Sequence, residues 1–294
     1  MDYLPGVEFA VNISGSHSHL GASTSLEFAW ELSPGTNYGR DSTCPADHNG
    51  FPSGKAVNLK SAMLQLTSIS NQRIRGTRKV WVERGERDDH CCIFLDAELY
   101  IERVHAPEIV REMFGENNEP AATCIYLSFG ESIDRHIDFA CNEEFASFLA
   151  KDLCPWIDSL TERTNDFVLC GLSLSGLAAA FAAHRYPQVF RRTLCQSPSA
   201  WWNDEWLTGQ IQDPALDRSK CWISVGDRET EENVTHDPTG MVQKTSQISS
   251  VRRLALAMGS SGVDVRVNLI AGGHDPTCWA AELPSALRWL LHGG

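Results

Sequence analysis

The run Gly171-Leu172-Ser173-Leu174-Ser175-Gly176 sets one serine among small residues, at a point where a strand hands over to a helix. Phe167-Val168-Leu169-Cys170 reads as the strand, and Leu177 to Ala183 as a small-residue helix. A tight turn in that context lifts the Ser173 hydroxyl above a sheet, positioned to attack a carbonyl carbon. Small neighbours are needed because the turn is strained and close-packed. Ser175 stands where the usual pattern has its second glycine, and Gly176 follows at once. Taken alone, the run also reads as an ordinary Gly/Ser helix start.

A nucleophilic serine needs a base, and the base must arrive after the last strand. Asp264 to Ala271 reads as that strand, with Gly272-Gly273-His274-Asp275 directly behind it. The two glycines let the chain turn sharply and bring the His274 imidazole back over the sheet. The acid that orients it should follow the strand Cys221 to Gly226, where Asp227, Glu229, Glu231 and Glu232 all stand. Asp275 is adjacent to the histidine and cannot easily reach back to Nδ1, which gives it a structural role. Donors for a tetrahedral oxyanion would be the amide of Leu174 and one near Ala97 or Glu98, after Phe94-Leu95-Asp96. Trp201 and Trp202 follow a strand end, where ligands bind in open α/β sheets. With Trp206 they read either as core packing or as a substrate-binding wall, and the wall would favour aromatic acyl groups.

These residues need a scaffold, and the chain supplies one. Val80 to Val82 and Cys91 to Leu95 read as neighbouring strands, followed by Ala122 to Phe129. Asn142 to Leu160 carries Phe145, Phe148, Leu149, Leu153 and Trp156 at helical spacing. Further strands are expected at Phe190 to Cys195, Trp222 to Val225 and Val265 to Ile270, with helices over Leu174 to His184, Met241 to Met258 and Ala280 to Leu291. The strands are almost continuously apolar, as when both sheet faces are covered by helices. The expected fold is α/β, a mostly parallel sheet between two helical layers. Residues 1–55, rich in glycine and proline, read as an N-terminal extension, and 56–294 as the catalytic domain.

Composition narrows the partners. Hydrophobic residues are 42% and charged residues 21% of 294, an ordinary globular balance. The net charge of −13 argues against nucleic acid or an anionic membrane. It also disfavours a strongly anionic substrate, unless Arg103, Arg135 or Arg228 lines the site. No apolar run is long enough to span a bilayer, and the first residues lack a signal-peptide pattern, so a cytoplasmic setting is expected. Of the ten cysteines, Cys92, Cys124, Cys170, Cys195 and Cys221 lie in or beside buried strands, which reads as reduced thiols. His17-Ser18-His19 lacks a third ligand and reads as a solvated loop.

With these motifs in place, the chain resembles the esterase D/feruloyl-esterase superfamily of α/β-hydrolases, most closely its enterochelin (ferric enterobactin) esterase-like branch. The resemblance rests on Leu95-Asp96-Ala97-Glu98, Cys141-Asn142-Glu143-Glu144-Phe145, Leu153-Cys154-Pro155-Trp156, Gln196-Ser197-Pro198-Ser199-Ala200-Trp201-Trp202, and Gly272-Gly273-His274-Asp275 through Trp279. It covers residues 60–294. It implies an α/β-hydrolase fold and a serine carboxylic-ester hydrolase that forms an acyl-enzyme on aromatic-acid or siderophore-type esters. Glu229 is implied as the acid, because relatives carry one three residues beyond the glycine that ends the acid strand. No metal or organic cofactor is required, and the partner is a small-molecule ester. An acyltransferase would use the same parts. A non-catalytic binding protein is the alternative from another class. Ser175 and Ala97 depart from the family, which has glycine at both positions.

Overall fold

The computed structural model describes residues 7–10, 64–85, 90–114, 122–130, 132–162, 166–212 and 219–292. These described residues all belong to one compact unit. Most of the expected extension, with His17-Ser18-His19, therefore lies outside the described residues. Val7–Ala10 from that stretch is β1, an edge strand of the main sheet.

The strands that follow are β2 (Gln65–Ser70), β3 (Thr77–Glu83), β4 (His90–Leu95), β5 (Thr123–Leu127), β6 (Asp166–Leu172) and β7 (Arg192–Gln196). After them come β8 (Lys220–Gly226), β9 (Val234–His236), β10 (Met241–Gln243) and β11 (Asp264–Ile270). Among the described residues the sheet runs β1-β11-β8-β7-β6-β4-β5-β3-β2. Its centre, from β11 to β5, is parallel, while β1, β2 and β3 join antiparallel. The apolar continuity of the central strands is thus accounted for: β4, β5 and β7 are buried along almost their whole length.

Alternate residues of one strand serve opposite faces. Cys91, Ile93 and Leu95 of β4 pack into one core with helices α4 (Glu143–Phe148), α5 (Cys154–Thr161), α6 (Ser173–Arg185) and α8 (Gln247–Ser260). Cys92 and Phe94 pack into a second core with α1 (Ala97–Glu102), α2 (Ala106–Phe114) and α9 (Pro276–His292). Two further helices, α3 (Ser132–Asp138) and α7 (Trp202–Gln210), complete the described α-helices. Period-two alternation thus places one strand's side chains into two separate cores.

Several sequence expectations need correction. The strands holding Val80 and Ile93 are not neighbours, because β5 lies between them and pairs with both. The chain leaves β4 through α1 and α2 and returns as β5, a crossover that fills the gap with a parallel strand. Met241 to Gln243 is not helix but β10, paired with β9 in a separate two-stranded sheet. Helix α8 starts only at Gln247, because the Ser246 hydroxyl caps it by accepting from the Ser249 amide at 3.3 Å. The long helix expected at 142–160 begins at the Asn142 cap as expected, then passes through a π-helical stretch at Leu149–Leu153.

Nine free cysteines are described, seven of them buried, including all five singled out in strands. Burial pushes the Cys170 and Cys154 thiols well above their ordinary value.

Under the carboxyl ends of β7, β8 and β11 lies a buried carboxylate, Glu282 of α9. Its Oε1 accepts from Trp222 Nε1 at 2.6 Å and Asn268 Nδ2 at 2.8 Å. Oε2 accepts from Ser224 Oγ at 2.7 Å and Gln196 Nε2 at 3.0 Å. Burial raises this carboxyl above its ordinary value, against four donors that pull it down. Glu282→Gln exchanges one acceptor oxygen for a donor facing donors. Each orphaned buried group costs about 1–3 kcal/mol. Denaturant unfolding should show a loss of at least that size, and an unchanged midpoint would mean the network contributes nothing to stability.

Candidate active site

The site begins with a strained turn. Ser173 follows β6 with φ of 54°, a left-handed backbone that is costly for a residue with a side chain. Gly171 makes the turn possible, since a Cβ there would collide with the Ser175 carbonyl. Gly176 packs against Pro198, where a Cβ would sit 3.2 Å from the proline Cα. Ser175 replaces the expected glycine without cost to the geometry. Its buried hydroxyl donates to the Leu172 carbonyl at 2.7 Å and accepts from the Leu172 amide at 3.0 Å. The departure from the pattern is absorbed by a side chain that bonds the turn itself.

The histidine arrives from the far side of the sheet. Gly272, with φ of 147°, bends the chain after β11, and its amide donates to Asp227 Oδ1 at 2.9 Å. His274 Nε2 then lies 2.9 Å from Ser173 Oγ, and Nδ1 lies 2.7 Å from Glu229 Oε2. Glu229 Oε1 accepts from Ser197 Oγ and from the Gly226 amide, both at 2.7 Å. Burial alone would push this carboxyl up. The hydrogen bonds from His274, Ser197 and Gly226, with the charge of His274, outweigh it and hold Glu229 below its ordinary value.

Of the four carboxylates weighed from sequence, the structure brings Glu229 to the imidazole and sets Asp227 on the loop backbone. Glu231 lines the adjoining cleft, and Glu232 is exposed. Asp275 accepts from the amide and hydroxyl of Thr277 at 2.8 and 2.5 Å at the start of α9. Those bonds, ahead of any effect of its charged neighbours, hold its carboxyl low.

Leu174 borders the cleft at the amino end of α6, where unpaired helix amides and the helix dipole favour negative charge. Ala97 opens α1 at the end of β4, the strand beside β6, and is fully buried. The left-handed residue in that turn is Asp96, with φ of 62°, so position 97 makes no demand for glycine. Asp96 is itself tied to Arg135 Nε and Nη2 at 2.8 and 2.7 Å.

Around Ser173 and His274 opens a cleft of about 410 Å³, which Arg135 and Arg228 line and Arg103 does not. The same cleft is lined by Glu229, Glu231 and Asp237, and Arg135 is paired with Asp96, so the two arginines do not make it basic. Burial and the neighbouring Arg135 charge push the His136 imidazole, also on the wall, below its ordinary value. Among the described residues no group of three or more His, Cys, Asp or Glu could hold a metal ion.

The tryptophan expectation needs correction. Trp202 is absent from the cleft wall and packs against the core, edge-on to Trp206 at 6.3 Å, where a large indole buries more apolar area. Trp201 does reach the wall but is only 6% exposed, because His236 stacks flat on it at 4.7 Å and 9°. The ring presented to the cleft at this point is His236, which sequence reasoning missed. Gln243 Nε2 donates to the Glu231 carbonyl at 3.0 Å, which turns Oε1 toward His236 Nε2, also at 3.0 Å. That nitrogen therefore carries the ring proton.

With this geometry stands a match to the family model described as "Putative esterase", over residues 73–290. The chain belongs to this esterase family. Among curated proteins, this esterase-family chain is 26% identical over 252 residues to the iron(III) enterobactin esterase of Dickeya dadantii, covering 82% of this chain and 58% of that protein. The iron(III) enterobactin esterase of Escherichia coli K12 is 22% identical over 226 residues, covering 74% and 54%. The chain thus spans about half the length of the curated relatives it matches. Among solved structures, the enterobactin esterase from Shigella flexneri in the presence of enterobactin aligns with a TM-score of 0.65 at 19% identity, over 78% of this chain and 59% of that one. A ferulic acid esterase aligns with a TM-score of 0.60 at 14% identity, over 78% and 98%. At these identities the likeness is one of fold, the expected α/β-hydrolase arrangement.

Because Glu229 is held below its ordinary value of 4.5, the unfolded chain takes up its proton first on acidification. Its contribution to stability is full above that ordinary value and fades as pH falls through the lower folded one. Denaturant midpoints of wild type and Glu229→Gln should differ near neutrality and draw together as pH falls below the ordinary carboxylate range. A gap that stays constant would show that the carboxylate's charge plays no part.

Proposed function

We propose that residues 56–294 form a serine carboxylic-ester hydrolase. The observation that carries this reading is the unbroken hydrogen-bonded line from Ser173 Oγ through His274 to Glu229. His274 Nε2 takes the proton of Ser173 as Oγ attacks the ester carbonyl, and Glu229 stabilises the imidazolium that forms. The developing oxyanion is held by the Leu174 amide and by one from the Asp96–Glu98 turn, with Ala97 as the expected donor. The same imidazole then gives its proton to the leaving alcohol. It next draws one from water, which attacks the acyl-enzyme, and hands that proton to Ser173 Oγ as the acyl–oxygen bond breaks and the acid leaves.

For the acyl group we infer an aromatic acid, with siderophore-type esters in the same class. The similarity to enterobactin and ferulic acid esterases supports this, as does the His236 ring on the cleft wall.

Ser173→Ala should abolish turnover of a p-nitrophenyl ester with an unchanged melting curve. A fluorophosphonate should label Ser173 and no other serine. Modification of Ser175 or Ser197 instead would overturn the assignment. Glu229→Gln should lower kcat by about a thousandfold or more, and Asp227→Asn by far less.

The acyl preference has its own measurement. For aromatic against acetyl esters with one leaving group, His236→Ala should reduce the kcat/KM ratio by about two- to twelvefold, equivalent to one aromatic contact. Trp202→Phe should leave the ratio unchanged. A wild-type preference for acetyl would refute the aromatic reading.

A further inference from the structure

Ser197 lies outside the proposed chemistry, yet its position is unusual. It follows β7 with φ of 43° and is completely buried. That backbone is one glycine adopts freely and serine does not. What serine adds is a hydroxyl, and this hydroxyl has no freedom in how it bonds. The Glu229 carboxylate can only accept and the Trp279 indole can only donate. Ser197 Oγ therefore donates to Glu229 Oε1 at 2.7 Å and accepts from Trp279 Nε1 at 3.2 Å.

The same indole meets the imidazole. Trp279 stands edge-on to His274, ring centres 4.9 Å apart and planes at 88°. One tryptophan thus touches the histidine directly and the acid through Ser197. The bracket is itself fixed. The Ser197 amide donates to the Ser224 carbonyl at 2.9 Å, and its carbonyl accepts from Gln247 Nε2 at 2.6 Å. The Trp279 carbonyl accepts from Gln196 Nε2 at 2.9 Å.

We propose that Ser197 is a positioning residue, which with Trp279 as its support fixes the Glu229 carboxylate so that Oε2 meets His274. The proposal rests on the Ser173–His274–Glu229 reading. Ser197 lines no part of the cleft, so its influence is on the rate of the chemical step and not on substrate binding.

The test compares Ser197→Gly with Ser197→Ala in the full chain, on a p-nitrophenyl ester. Both lack the hydroxyl, but glycine suits the left-handed backbone and alanine does not, so the glycine variant should melt higher. Positioning predicts the same loss of kcat in both, about tenfold, with KM within twofold of wild type. In a Glu229→Gln background, Ser197→Gly should cost nothing further, because its effect runs through the carboxylate. Trp279→Phe, which keeps a ring and loses the N–H, should show a smaller loss of about threefold. A glycine variant within twofold of wild-type kcat would overturn the proposal, as would a rate loss that follows melting temperature. If Ser173→Ala is inactive in the same assay, such a result removes only the positioning role. If Ser173→Ala turns over like wild type, the reading of the site falls and the proposal with it.

Discussion

One carboxylate ties together the ends of three strands. Glu229 takes a hydrogen bond from Gly226 at the end of β8, from Ser197 after β7, and from His274 after β11. The sheet sets the difficulty. Adjacent strands lie about 4.8 Å apart, so β11, three places from β6, ends roughly 14 Å from the strand that presents Ser173. The loop after β11 must turn back across two strand ends for His274 to close on Ser173. Gly272 bends it, Asp227 holds its amide, and Glu229 receives the imidazole part-way. Without that anchor the imidazole, 43% exposed, would have little to fix its orientation.

The floor beneath the loops is polar for a related reason. Glu282 gathers donors from β7, β8 and β11, the same strands whose ends supply the Glu229 contacts. A buried carboxylate is costly to desolvate, and that cost raises the Glu282 carboxyl above its ordinary value. Apolar side chains could fill that volume, but they could not fix the register of three strands relative to α9. Tyr100 of α1 extends the network by donating to Gln196 Oε1 at 3.1 Å. The apolar cores on the two faces bring the layers together, and this polar seam fixes how the strand ends lie beneath the site.

Much of this was legible in the sequence, for reasons that mark where legibility stops. The parallel strands announced themselves because burial on both faces removes polar residues, as in Phe167 to Cys170. The serine turn and the histidine were found by order along the chain, since each follows a strand. Four carboxylates within six residues could not be separated by pattern; only the spacing carried by the resemblance singled out Glu229. The order β4-β5-β3 was hidden because pairing is a non-local property that no window of residues contains. The β9–β10 hairpin was missed because three-residue strands carry no measurable period. His236 was missed with it, a lone histidine in a stretch without repeat or motif. Trp201 does reach the cleft wall, but sequence shows an indole and not the ring that covers its face.

The buried thiols give the fold a property that concerns time. Seven of the nine described cysteines are buried, and burial keeps Cys154 and Cys170 from ionising, so those seven offer oxidants and alkylating reagents little to attack in the native state. Opening the sheet exposes those thiols together. In a reducing medium the chain can close again unchanged. In an oxidising one, an excursion can be captured by a non-native cross-link, and unfolding becomes irreversible. The lifetime of the protein there is then governed by how often it opens and not by the depth of its folding equilibrium, so that the same sequence is thermodynamically stable in one medium and kinetically perishable in the other.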